Sequence, residues 1–134
     1  MPEANKRLLI IDDDDDFCRV IQARFTNCGF EVMTASEGED GLLKASRLVP
    51  DCILLDVRIS SGVDGLTFLR QLRSFRHDDS TFEEKMRSIP VIVLTAADAN
   101  MCKLFELEKI SGFFEKPYDP EQLKAKVLEV ARGF

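Results

Sequence analysis

Short runs of aliphatic residues recur along the chain and alternate with longer segments whose apolar residues are three or four positions apart. Runs of this length, bounded by turn residues, are typical of strands that are buried on both faces of a parallel sheet. The segments between them have the length and the periodicity of amphipathic helices. The predicted strands cover residues 8–11, 31–35, 52–55, 91–94 and 112–114.

Local signals place the helices between these strands. The first predicted helix contains Phe17 and Phe25, begins after Asp14 as its N-cap, and closes near Gly29. The last begins at Pro120, behind Asp119 as its N-cap. A second helix begins near Ser36, a third carries Leu66, Leu69 and Leu72, and a fourth covers residues 99–110. Five successive strand–helix units predict an α/β fold: a doubly wound, five-stranded parallel sheet with helices on both faces.

Residues 75–88, between the third helix and the fourth strand, interrupt this alternation. The stretch is polar, charged and longer than most connections. We expect a surface insertion with one helical turn near residues 82–86, away from any site at the strand ends. Because added loop length costs little closure entropy, a tolerated extension is favoured over a dedicated partner contact. His77 in this stretch is expected to be a solvated loop residue.

Composition narrows the classes of function. The chain has 134 residues, enough for one domain over residues 1–134, with 45% hydrophobic and 31% charged residues. A formal charge of −6 without any Lys/Arg-rich run argues against direct nucleic-acid binding. The sequence shows neither a signal peptide nor a membrane-spanning run, so a cytoplasmic protein without membrane contact is expected. The four cysteines form no CxxC pair and are interpreted as small buried thiols.

Carboxylates follow two of the predicted strands. Asp12 and Asp13 come directly after the first strand, and Asp56 ends the third. Ligands bind beyond the carboxyl ends of such sheets, and if the strand order is 2-1-3-4-5, these two strands are neighbours. The three carboxylates would then suit a hard divalent cation such as Mg²⁺. Asp14, Asp15 and Asp16 are better explained by the start of the following helix, where acidic residues are favourable.

Two further strand ends carry polar groups, namely the hydroxyl of Thr95 after the fourth strand and Lys116 after the fifth. Either residue alone is weak evidence, because a threonine at a strand end is usually structural and a lysine before proline is usually solvated. Together with the three carboxylates, they predict a site for phosphate and metal. Neither a GxGxxG turn nor a P-loop occurs in the sequence.

The stretches LLIIDDD, GFEVMTASEGEDGL, PDCILLDV, IPVIVLTA and SGFFEKPYDPEQL, which span almost the whole chain, resemble the receiver domains of two-component response regulators. This resemblance implies a flavodoxin-like (βα)5 fold with strand order 2-1-3-4-5. It also implies a signalling domain rather than an enzyme: Asp56 would accept a phosphoryl group from a sensor histidine kinase or a phosphotransfer protein. The domain would catalyse this transfer and its own slow dephosphorylation, and report the signal through a protein surface.

The resemblance assigns roles to the other site residues as well. Asp12, Asp13, Asp56 and the backbone carbonyl of Arg58 would hold Mg²⁺. Thr95 and Lys116 would contact the phosphoryl oxygens, and Phe113 would be the switch aromatic that moves with Thr95. The Lys116–Pro117 bond would be cis.

The sequence departs from the family pattern after Asp56, where Ser60 replaces a proline and the loop is one residue longer. Arg58 stands where an uncharged residue is more common; its side chain either points into solvent or, as we favour, lies over the acidic pocket. Two other functions are considered. A phosphohydrolase would normally carry a second Asp two residues after Asp56, where this chain has Arg58. An interaction module without phosphorylation would be expected to have lost Asp56, Lys116 or the acidic pair Asp12 and Asp13, and all of these are present. The kinase, the output and the choice between a single-domain regulator and a fragment are left open.

Overall fold

The structure, a computed structural model, describes residues 6–56, 65–95, 109–115 and 118–131. Its strands are β1 (Arg7–Ile11), β2 (Glu31–Ala35), β3 (Cys52–Asp56), β4 (Val91–Thr95) and β5 (Gly112–Glu115). Its helices are α1 (Asp15–Thr26), α2 (Gly38–Leu48), α3 (Gly65–Arg73), α4 (Ser80–Arg87) and α5 (Pro120–Ala131). Each predicted strand agrees with the observed one to within one residue at either end. Of the helix predicted over residues 99–110, residues 99–108 lie outside the described part.

All five strands belong to one parallel sheet in the order β2-β1-β3-β4-β5, which confirms the predicted fold class and strand order. Ile11 at the end of β1 is in register with Leu55 of β3. The carboxyl ends of these two central strands therefore lie side by side. Their side chains alternate between the two faces of the sheet, as the period of a strand requires.

Two hydrophobic clusters cover the two faces. Residues of α2, α3 and α4 pack with Leu9, Ile11 and Leu55 on one face. Residues of α1 and α5 pack with Leu8 and Ile10 on the other. Every residue of β3 is buried, which explains why its sequence is a continuous apolar run ending in a single carboxylate.

Two of the predicted helix starts, those of α1 and α5, are confirmed. Asp14 is the N-cap of α1, and its Oδ1 accepts a hydrogen bond from the backbone N–H of Phe17 at 3.1 Å. Asp119 caps α5 in the same way, with its Oδ1 accepting from the N–H of Glu121 at 2.9 Å. Pro120 is the first residue of that helix, where its missing N–H costs nothing.

Residues 75–88 differ from the expectation of a single helical turn, because α4 extends over eight residues. Asp79 caps it by accepting hydrogen bonds from two backbone N–H groups, and Met86 is fully buried in the core. The apolar residues Phe82, Met86 and Ile89 lie on the core side of this segment. The helix therefore forms because its one apolar stripe can be buried, although most of its surface is charged. In the described part of the chain, no helix is long and apolar enough to cross a membrane.

Candidate functional site

Three carboxylates meet at the carboxyl ends of β1 and β3. Asp12 and Asp13 follow β1 directly, and Asp56 is the last residue of β3. Their potential ligand oxygens all lie within 4.8 Å of one another. Asp12 and Asp56 are only 2% and 7% exposed, whereas Asp13 is exposed. The predicted cluster is therefore present, with two buried carboxylates and a third at its entrance.

Backbone hydrogen bonds hold Asp12 in place. Its N–H donates to the carbonyl of Ala35 at 3.0 Å, which continues the pairing between β1 and β2 beyond the strand ends. Its Oδ1 accepts the N–H of Asp14 at 2.9 Å. The thiol of Cys18 donates to the Asp12 carbonyl at 3.5 Å. The aspartate run thus divides as predicted: Asp12 and Asp13 point to the cluster, while Asp14 caps the helix.

The like charges of the three carboxylates repel one another. Unit charges at this separation repel by about 1–3 kcal/mol per pair, depending on how far solvent screens them. Burial and the negative charge of Asp12 also shift the pKa of two neighbouring ionisable groups. Burial raises the pKa of the Cys18 thiol to about 11, and the carboxylate of Asp12 adds to this effect. The pKa of Tyr118 is also raised, mainly by burial and secondarily by Asp12. Both groups are therefore neutral at physiological pH.

Two of the four remaining predicted site residues, Thr95 and Phe113, belong to the described part of the chain. Thr95 is the last residue of β4, one position beyond Leu94, which is in register with Asp56. Phe113 of β5 is in register with Val93 and packs, partly buried, against the core cluster on the α2–α4 face. Lys116 and Arg58 lie outside the described residues, as does the Lys116–Pro117 bond.

Tyr118 was given no role in the sequence analysis. Its ring makes edge contacts with Phe17 at a centroid distance of 6.1 Å and with Phe114 at 6.3 Å. These contacts join the start of α1 to β5 and to the segment that enters α5. The only signal in the sequence was an aromatic residue directly after Lys116 and Pro117, and a pattern of buried positions cannot show which distant ring it would meet.

The fold and the site together define a doubly wound α/β protein with an acidic centre at the carboxyl ends of its central strands. Comparison with known families is consistent with this class: residues 8–128 match the profile of the response regulator receiver domain. The chain belongs to this family, that of the receiver domains of two-component response regulators.

Individual relatives agree with the assignment. The chain is 33% identical over 129 residues to the alkaline phosphatase synthesis transcriptional regulatory protein PhoP of Bacillus subtilis, covering 96% of this chain and 49% of the relative. It is 39% identical over 127 residues to the response regulator PleD of Caulobacter vibrioides, covering 94% of this chain and 26% of the relative. The chain thus spans half or less of the length of these curated relatives.

A solved structure has the same fold. The receiver domain of the sensor histidine kinase PA1611 from Pseudomonas aeruginosa superimposes with a TM-score of 0.80 at 23% identity, covering 97% of this chain and all of the other. That domain is described with a magnesium ion coordinated in its active site cleft. At this level of identity, the similarity establishes the fold alone.

Proposed function

We propose that this receiver domain stores a signal as a phosphoryl group on Asp56, accepted from a histidine kinase or a phosphotransfer protein. The observation that carries the proposal is the position of Asp56. It is the only acidic residue of β3, it ends a fully buried strand, and its carboxylate belongs to the cluster with Asp12 and Asp13. Carboxylates can act as nucleophiles that form acyl phosphates.

The donor set fits Mg²⁺. Three carboxylate oxygens within 4.8 Å of one another are hard ligands, and Mg²⁺ binds through one or two carboxylates together with water and phosphate. Asp12, Asp13 and Asp56 would hold the ion, with the backbone carbonyl of Arg58 as a further ligand. When bound, the ion would supply positive charge that offsets both the carboxylate repulsion and the charge of the phosphoryl group.

In the transfer itself, an Asp56 carboxylate oxygen attacks phosphorus, and the bond between phosphorus and the histidine nitrogen of the donor breaks. The electron pair of that bond remains on the nitrogen. Lys116 follows β5 directly and would neutralise charge on the phosphoryl oxygens, while the hydroxyl of Thr95 would donate a hydrogen bond to them. Such positioned charges and donors are the main source of catalysis in phosphoryl transfer. Slow attack of water on the acyl phosphate would return the domain to its resting state.

The signal would leave the site through Thr95 and Phe113. Phe113 is only partly buried and lies in register with Val93, two residues before Thr95. Movement of Thr95 toward the phosphoryl group would let Phe113 move inward and change the surface around β5. This is a bias on two existing conformations rather than the creation of a new one.

Intact-mass analysis after incubation with acetyl phosphate tests the proposal. The wild-type chain should gain one phosphoryl group in the presence of Mg²⁺ and none after chelation. Asp56→Asn should gain none. Asp51→Asn is the matched control, because Asp51 precedes the same strand at its other end and should leave labelling intact. Full labelling of Asp56→Asn would exclude Asp56 as the acceptor, and an unlabelled wild type would favour an interaction module without phosphorylation.

A further inference from the structure

A second concave surface lies at the opposite end of the sheet from the carboxylates. It is a groove of about 550 Å³ between the start of β1, the end of α2, the end of α4 and the end of α5. Its apolar floor includes Leu48, Val49, Ile89 and Val130. A volume in this range is typical of ligand sites, but the groove is open to solvent and suits an extended segment better than an enclosed small molecule.

Cationic side chains surround this groove. Lys6, Arg7, Arg47 and Lys85 line it, whereas Asp51 is its only acidic residue in the described part of the chain. The carboxylate of Asp51 already accepts the N–H of Arg7 at 2.8 Å. The groove is therefore positive on a chain whose formal charge is −6.

Three of the four cations are available to a ligand. Arg7 is engaged, since its Nη1 donates to the carbonyl of Leu48 at 2.7 Å and its Nε lies 3.4 Å from Glu31. Lys6, Arg47 and Lys85 make no ion pair with any described residue. Arg47 and Lys85 are exposed, and Lys6 is half-buried.

The inserted helix α4 provides one wall of the groove, and that wall is fixed. Met86 anchors it in the core. The guanidinium of Arg73 donates from Nη1 to the carbonyls of Arg87 and Ile89, at 2.9 and 2.8 Å, and from Nη2 to that of Lys109 at 2.9 Å. Lys85 is thus presented by a rigid element, which lowers the entropy cost of binding.

We propose that this groove binds an acidic peptide segment of a partner protein, with carboxylates at Lys6, Arg47 and Lys85 and apolar side chains on the floor. The sequence alone favoured a tolerated extension without a partner contact for residues 75–88. In this proposal, the extension forms part of a binding surface. None of the described residues that line the groove is aromatic, so it offers no aromatic ring on which a nucleotide base could stack. The mixture of cations and aliphatic groups therefore favours a peptide over a nucleotide.

The probe is a short acetylated peptide that alternates glutamate and leucine, titrated into the full chain while backbone amide shifts are recorded. Shifts should concentrate at residues 47–51 and 85–90 and weaken as salt is added. Arg47→Glu combined with Lys85→Glu should weaken binding by about tenfold or more, because two attractions become repulsions. Both positions are exposed, so the variant should fold, and Arg47→Gln with Lys85→Gln should show a smaller loss.

Lys124→Glu reverses one charge on α5 beside α1, outside the groove, and should bind the peptide like the wild type. Asp56→Asn should also bind it, which separates this proposal from that of phosphorylation. Absence of binding, or binding that the double charge reversal leaves unchanged, would overturn the proposal. Equal binding of the peptide's glutamine counterpart would refute recognition of acidic groups, and binding of tripolyphosphate alone would refute the choice of a peptide.

Discussion

Replacing Gly41 by alanine should destabilise this protein, although alanine is the better helix former. Gly41 lies inside α2, where an unhindered change from glycine to alanine would stabilise by about 1 kcal/mol. A Cβ at this position would lie 2.5 Å from Cδ1 and 3.0 Å from Cγ1 of Ile11, and 3.5 Å from Cε1 of Phe68. The fully buried Ile11 has little room to move.

The size of the effect follows from these opposing contributions. Overpacking of a well-packed core costs about 1–3 kcal/mol. Subtracting the gain in helix propensity leaves a net loss of up to about 2 kcal/mol. We expect the upper half of this range, because the Cγ1 contact involves the inner part of the Ile11 side chain. Urea unfolding followed by far-ultraviolet circular dichroism measures the loss, since the chain has no Trp and a single Tyr.

A second substitution provides the control. Ile11→Val removes Cδ1 and by itself should cost about 0.5–1.5 kcal/mol. In the Gly41→Ala background it should cost nothing or should stabilise, because the shorter side chain makes room for the new methyl group. A double-mutant cycle should then give a coupling free energy of about 1–2 kcal/mol. Additive changes, or a Gly41→Ala variant more stable than the wild type, would refute the close approach of α2 to β1.

Three further predictions concern the same fold. Met86→Ala should lower the free energy of unfolding by about 2–5 kcal/mol, whereas Lys85→Ala next to it should change it by less than about 1 kcal/mol. Similar small effects of the two substitutions would mean that α4 is not part of the core. Asp14→Ala should cost about 1 kcal/mol and Asp14→Asn much less, because only the latter keeps an acceptor for the N–H of Phe17. Since folding raises the pKa of Cys18 from 9.0 to about 11, the folded chain keeps a proton that the unfolded chain releases, so stability should fall as the pH rises through this interval. Cys18→Ser should make that decline shallower in pH-dependent unfolding, and an unchanged slope would contradict the assignment.

Some parts of this structure could be predicted from sequence because they depend on local chemistry. Strands buried on both faces must be continuous apolar runs, and caps such as Asp14 and Asp119 require only a side-chain oxygen at the correct position. The strand order is different, since no local pattern chooses among the possible neighbours of β1. The strand order was inferred from the family resemblance, and the proximity of Asp12 to Asp56 was inferred from that order.

The helix α4 shows where sequence reasoning gave too much weight to composition. Residues 82, 86 and 89 are apolar at spacings of four and three, which is a helical pattern, yet the many charges around them suggested a solvated insertion with only one helical turn. What makes the helix stable is not local. Met86 is buried by residues of other elements, and the hydrogen bonds of Arg73 join carbonyls at positions 87, 89 and 109. No window of sequence contains these partners together.

The opposite charges at the two ends of the sheet have a common physical origin. In a parallel α/β fold, helices begin near the carboxyl ends of the strands and finish near the amino ends, so their positive and negative dipole ends are sorted in the same way. Acidic residues accordingly occupy the first turns of α1 and α2, while Arg47 and Lys85 lie in the last turns of their helices. Each such placement stabilises by about 0.3–1 kcal/mol without using an ion pair. Arg47 and Lys85 are therefore tolerated in the free protein while their side chains remain available to an acidic partner.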